Sequence, residues 1–171
     1  IARRNVIWQL ENGGSFNISW NIHEDTDTFH VYDNDVIHAE HYLFDKEAVF
    51  RSRHAGSGVL SRYLFEDIRI ENANWRLFYL VLENNKWYDP ARGYGEIEQV
   101  IFRNIHAYTN YQHPNVVQGI DGTHKMRNIN FQNVWANGTC FASKDGGNFT
   151  LDPASTNAIR IMRSTDGSCR T

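Results

Sequence analysis

A chain of 171 residues with 41% hydrophobic and 22% charged side chains has the make-up of a folded, soluble domain and excludes a disordered one. A formal net charge of −3, a pI near 6.2 and no basic run longer than Arg3-Arg4 exclude the electrostatic footprint of a nucleic-acid binder. No apolar stretch nears the roughly 20 residues that cross a bilayer, and no signal peptide opens the chain, so no membrane partner is expected.

One domain spanning residues 1–171 is expected, and a start at Ile1 rather than Met reads as a processed chain or part of a longer protein. The first strand-like runs, at residues 5–8, 16–20 and 29–38, alternate apolar and polar side chains. An internal repeat follows. Residues 63–70, 100–107 and 129–136 align without gaps: Tyr63, Val100 and Ile129, then Phe65, Phe102 and Phe131, then Asp67, Asn104 and Asn133. The period-two alternation turns each Phe inward, where the rings would stack as a ladder. Asp67, Asn104 and Asn133 suit corners in the left-handed or bridge region, because a short polar side chain there can bond local backbone.

Between the first two repeats lie a strand carrying Phe78, Leu80 and Leu82 and an excursion loop over residues 83–95. Between the second and third come residues 108–114 and a strand through Val116, Gln118 and Ile120. The uneven spacing, 37 residues from Phe65 to Phe102 and 29 from Phe102 to Phe131, assigns the difference to loops. No apolar stripe at helical spacing appears, so the fold class is all-β, a solenoid of roughly seven coils at about 25 residues and about 4.8 Å each. Both stack ends need covering by a loop, a neighbouring domain or a second copy, and an oligomer through those ends is one outcome.

Sugar recognition uses flat aromatic faces against C–H-rich pyranose faces, with polar side chains taking the hydroxyls. The aromatic candidates are Trp75 at a coil edge, Trp87, Tyr88 and Tyr94 in the excursion loop, and Tyr108 and Tyr111 in what reads as the corresponding place one coil later. Trp8, Trp20 and Trp135 are the rings left to fill or cap the core. Glycoside hydrolysis needs two carboxyls, and Asp33 and Asp35, two apart on a strand, would face one side at about 7 Å, a spacing that permits an inverting pair. Against this stand two other readings of Asp25, Asp27, Asp33 and Asp35: turn and corner residues, or calcium ligands. His23, His30, His38 and His41 lack metal-site spacing, so no metal and no cofactor are expected. Cys140 and Cys169 either pair, closing a loop of about 30 residues worth about 3 kcal/mol, or stay as buried thiols. Asn17, Asn137 and Asn148 begin glycosylation sequons that matter only in a eukaryotic secreted protein.

Three blocks carry a resemblance: Asn5-Val6-Ile7-Trp8, Asn12-Gly13-Gly14-Ser15-Phe16-Asn17-Ile18-Ser19-Trp20, and Asp33-Asn34-Asp35-Val36-Ile37-His38-Ala39-Glu40-His41-Tyr42. Over residues 5–42 they resemble family 49 of the glycoside hydrolases, the dextranases and isopullulanases, and the likeness fades into a generic pectin-lyase-like pattern by residue 137. The resemblance implies a right-handed parallel β-helix and a polysaccharide ligand. The family's catalytic aspartates precede the segment similar to residues 5–8, so none carries over. Residues 25–29 also resemble the Asn-Thr-Asp-Gly box of the polygalacturonases, with Asp for Asn and Thr for Gly and without that family's downstream boxes.

The functional expectation is a secreted, non-catalytic carbohydrate-binding module for a plant-cell-wall polysaccharide such as xylan, attached to a catalytic domain. The alternatives are a dextranase- or polygalacturonase-like hydrolase acting through Asp33 and Asp35, and a purely structural β-helix.

Overall fold

A computed structural model describes residues 1–9, 13–40 and 45–164; His41 and Cys169, weighed above, lie outside them. The described residues contain no helix. The strands are β1 (Ala2–Arg3), β2 (Val6–Gln9), β3 (Phe16–Ser19), β4 (Thr26–Ala39), β5 (Phe50–His54), β6 (Val59–Ile70), β7 (Phe78–Leu82), β8 (Glu96–Ala107), β9 (Asn115–Gln118), β10 (Met126–Ala136), β11 (Thr139–Cys140), β12 (Phe149–Leu151), β13 (Thr156–Asn157) and β14 (Arg160–Met162).

From β3 to β10 the chain alternates between two sheets. Sheet one is built on β4, β6, β8 and β10, with β1 and β2 beside β4 and with β11, β13 and β14 beside β10; sheet two runs β3, β5, β7, β9, β12. Every pairing is parallel except the short hairpin of β10 with β11. Residues in register therefore lie one above another. In sheet one Ala2, Val31, Phe65, Phe102, Phe131 and Ile161 form one column, separated by 29, 34, 37, 29 and 30 residues. Among the described residues the stack thus has six levels, not roughly seven, because a level consumes 29–37 residues rather than 25.

The long strands are bent at two columns of left-handed residues. Asp33, Asp67, Asn104 and Asn133 hold φ of 52–53°, so the three expected corners are present and Asp33 extends their column. A second column, Thr28, Arg62, Gln99, Asn128 and Ala158, holds φ of 53–57°. Four of those five residue types pay a steric penalty in this region, of about 1–2 kcal/mol each for an L-residue with a Cβ, which the paired neighbours above and below must offset. Their types give no hint of a corner.

Between the sheets lies the core. Phe65, Phe102 and Phe131 stack at 5.1 and 5.2 Å with planes within 14°, the ladder that the alternation predicts. Sheet two supplies a second ladder, Phe16, Phe50 and Phe78, at 5.0 and 5.1 Å. The two meet edge to face, as in Phe50 with Phe102 at 5.1 Å and Phe78 with Phe131 at 4.8 Å, an arrangement worth about 0.5–1.5 kcal/mol per pair beyond area burial. The chain re-enters sheet one backbone to backbone: a Cβ on Gly95 would lie 2.1 Å from the Gly58 carbonyl oxygen.

One position breaks the second ladder. Asn115, fully buried, stands in register with Phe78 below and Phe149 above. Its Oδ1 accepts the backbone N–H groups of Leu77 and Phe78 at 3.1 and 2.9 Å, and its Nδ2 donates to the Gly147 carbonyl at 2.8 Å and to the Tyr111 hydroxyl at 3.1 Å. Cys140 is disulfide-bonded, so the reading of two buried thiols falls. Asn115→Ala is expected to strand two buried N–H groups and, at about 1–3 kcal/mol for each, to destabilise the fold by at least about 2 kcal/mol; the midpoint of urea unfolding checks this, and an unchanged midpoint would contradict the role given to Asn115.

Candidate functional site

The bend at the first corner column folds the outer surface of sheet one into a groove of about 680 Å³, lined by Tyr32, Asp33, Asp67, Arg69, Asn104, His106, Tyr108 and Asn133. Three rows run along it from level to level. One is the corner row Asp33, Asp67, Asn104 and Asn133; on one flank are Tyr32, Glu66, Arg103 and Gln132, and on the other Asp35, Arg69, His106 and Trp135. The corner side chains bond to one another in a single direction: Asn133 Nδ2 donates to Asn104 Oδ1 at 3.0 Å, and Asn104 Nδ2 donates to Asp67 Oδ1 at 2.8 Å. The relay ends on a carboxylate, which can accept and not donate. Among the described residues no cation pairs with Asp67, whose remaining acceptor capacity faces the groove.

Asp33 and Asp35 do come together, on one guanidinium. Arg69 reaches Asp33 Oδ1 at 3.1 Å and Asp35 Oδ1 and Oδ2 at 2.5 and 3.0 Å, and Arg4 adds a 3.4 Å contact to Asp33. The hydrogen bond from Arg69 pulls the Asp35 carboxyl below its ordinary value and holds the Arg69 guanidinium above its own. A general acid needs the opposite shift. The neighbouring carboxylates go elsewhere: Asp25 Oδ1 accepts the Val59 N–H at 2.8 Å, while Asp27 pairs with Arg62. Among the described residues no group of three or more His, Cys, Asp or Glu side chains gathers as a metal-ligand set.

Tyr108 is 65% exposed and presents its ring to the groove. His106 stacks on Trp135 at 5.9 Å, and burial pushes its imidazole below the ordinary value, leaving a neutral ring that can both donate and accept. Trp135 donates its Nε1–H to Asn133 Oδ1 at 2.9 Å on the outer side of sheet one. Trp8, 63% exposed, stacks on His38 at 4.9 Å. Trp20 packs against the guanidiniums of Arg51 and Arg53, each 5.0 Å from its ring. None of these three indoles fills the core, because the two Phe ladders already occupy it.

The expected aromatic set divides between two loop systems. Tyr108 and Tyr111 follow β8, in the place that Trp75 holds after β6; the excursion with Trp87, Tyr88 and Tyr94 follows β7, and its counterpart one level on is the loop with His124, which Tyr94 meets edge-on at 5.3 Å. A single row through all six is therefore absent. Trp75 meets His113 in a tilted contact at 3.8 Å, Tyr88 stacks on Tyr94 at 4.2 Å, and Trp87, 45% exposed, sits under Lys86. Tyr111 is withdrawn inward: its hydroxyl donates to the Gly147 carbonyl at 2.8 Å, and burial pushes it up to about 12. It is a strut for Asn115.

Comparison with known proteins finds no family model, no curated protein and no solved structure that matches this chain.

The clamp on Asp35 has a pH signature. A carboxyl whose folded value is depressed contributes stability above the unfolded value and loses it as pH falls through the folded one. Carboxyl NMR titration is expected to place the Asp35 midpoint below 3.8, and Arg69→Gln is expected to move it upward; a midpoint above 3.8 in the unaltered protein would contradict the clamp.

Proposed function

We propose that the chain is a right-handed parallel β-helix that binds a polysaccharide in the corner groove without cleaving it, as a secreted module that holds a catalytic partner on its substrate. The observation that carries the reading is the groove itself, an open trough of hydrogen-bonding side chains with the exposed face of Tyr108 in it. Its volume falls within the range of about 300–1,000 Å³ usual for ligand sites. Carboxylate, amide, guanidinium and imidazole groups line it, which suits hydroxyls that both donate and accept.

The parallel pairing supports right-handedness, since parallel crossover connections are right-handed in about 98% of cases. The disulfide at Cys140 supports an oxidising, extracellular setting. The likeness of residues 5–42 to family 49 of the glycoside hydrolases points to a glucan or related polymer. Catalysis by Asp33 and Asp35 is disfavoured because Arg69 holds both carboxylates and keeps Asp35 ionised.

Affinity electrophoresis against soluble xylan, dextran, pullulan, β-glucan and polygalacturonate, with reducing-sugar release assayed on the same samples, tests the proposal. Retardation by at least one polymer without release is expected. Tyr108→Ala is expected to weaken that retardation by more than about 1 kcal/mol, whereas Tyr111→Phe should leave it unchanged. Sugar release that disappears in Asp33→Asn with Asp35→Asn would establish the hydrolase instead, and neither retardation nor release would leave a structural β-helix.

A further inference from the structure

We infer that Asp67 decides which polysaccharide the corner groove takes: its carboxylate accepts the hydroxyls of an uncharged sugar unit whose ring lies against Tyr108, and it turns uronate polymers away. This rests on the polysaccharide reading of the groove and names the ligand class together with the residue that selects it.

Along the groove the ionic groups find partners except at one residue. Arg69 follows Asp67 by two positions on the same strand, yet its guanidinium turns to the level below, where Asp33 and Asp35 take it up. Arg103, in the opposite flanking row on the next level, donates from Nε to Glu66 Oε1 at 2.7 Å. Both cations of the rows that flank Asp67 are therefore committed to other carboxylates. Asp67 is exposed, and its only hydrogen bond among the described residues comes from Asn104 Nδ2 to Oδ1 at 2.8 Å, which leaves Oδ2 open to the groove. The rest of the corner row does not compete with it as an acceptor. Asn133 is 3% exposed with its amide bonded to Asn104 and Trp135, and Asp33 is held by Arg69.

An ionised carboxylate accepts and never donates, so Asp67 selects a ligand by its donors. Neighbouring hydroxyls of a sugar ring supply such donors, and hydrogen bonds to a charged acceptor are stronger than those between neutral groups. A uronate carboxylate in the same place would lie beside Asp67 with neither Arg69 nor Arg103 free to come between them, and like charges brought together work against binding. The neighbouring groups on the next level are uncharged. His106 lines the groove there; burial pushes its imidazole down, and the Asp67 charge draws it back only in part. Two residues on, Tyr108 adds an exposed ring, the flat apolar surface that a pyranose face needs. Carboxylate, neutral imidazole and open ring thus meet over two adjacent levels.

Titration calorimetry of the full chain at low ionic strength, with xylo-, cello-, malto-, isomalto- and galacturono-oligosaccharides of matched length, reads the choice directly. At least one uncharged series is expected to bind, and the galacturonate series to bind at least about tenfold more weakly, equivalent to about 1.4 kcal/mol. Asp67→Asn places in the corner a residue type that the same column holds at Asn104 and Asn133, and it keeps an oxygen for Asn104 Nδ2. Its urea midpoint is expected to match that of the unaltered chain, which separates a lost contact from a lost fold. The uncharged ligand is expected to bind this variant at least about tenfold more weakly, and the galacturonate series no more weakly than before. Galacturonate affinity equal to or above that of the uncharged series, or undiminished affinity in Asp67→Asn, would overturn the role of Asp67 while leaving polysaccharide binding in place. No binding by any oligosaccharide, with xylan, dextran and polygalacturonate also failing to retard the chain, would overturn both.

Discussion

Parallel hydrogen-bond ladders place each residue of one level over its counterpart in the next, and the other features of this molecule follow from that alignment. A Phe in one level must stack on whatever lies in register with it, so aromatic positions become columns. A corner in one level must lie over a corner in the next, so left-handed residues become columns too. Where a column faces inward it is filled by apolar side chains, stacked rings among them; where it faces outward beside a bend it lines a groove. The repeat that builds the core thus also builds the surface proposed to bind ligand.

Polar exceptions inside the stack show how strictly the alignment is enforced. Asn115 takes a position that its column gives to Phe, and every polar atom of its amide finds a partner across neighbouring levels. Glu47 and Arg51, 2% and 4% exposed, form an ion pair beside β5, with the Glu47 carboxylate also accepting the Gly13 N–H. Breaking such a pair leaves an uncompensated buried charge, which costs about 3–5 kcal/mol even where the intact pair contributes little.

Much of this architecture is legible in the chain itself. Phe65, Phe102 and Phe131, with Asp67, Asn104 and Asn133 two residues on, announce strand, corner and strand because both signals are local. The second corner column is silent, since Thr28, Arg62, Gln99 and Ala158 adopt positive φ only under the constraint of their neighbours. The site is less legible than the fold for the same reason. Asp33 and Asp35 are plain in the sequence, but their common partner Arg69 lies 34 residues beyond Asp35 and meets it only through register. Tyr108 and Tyr111 look alike as loop aromatics, yet one stands in the open and the other braces Asn115. Aromatic content does not show which loops correspond, because the strand each loop follows decides which side of the stack it occupies.

We propose that the corner groove, and not the excursion loop after β7, meets the glycan. Amide chemical-shift mapping on the isotope-labelled chain, with an oligosaccharide of a retarding polymer added stepwise, tests it most directly. The account predicts that the largest shifts run down the corner row, at Asp33, Asp67, Asn104 and Tyr108. Shifts centred instead on Trp87, Tyr88 and Tyr94 would contradict it.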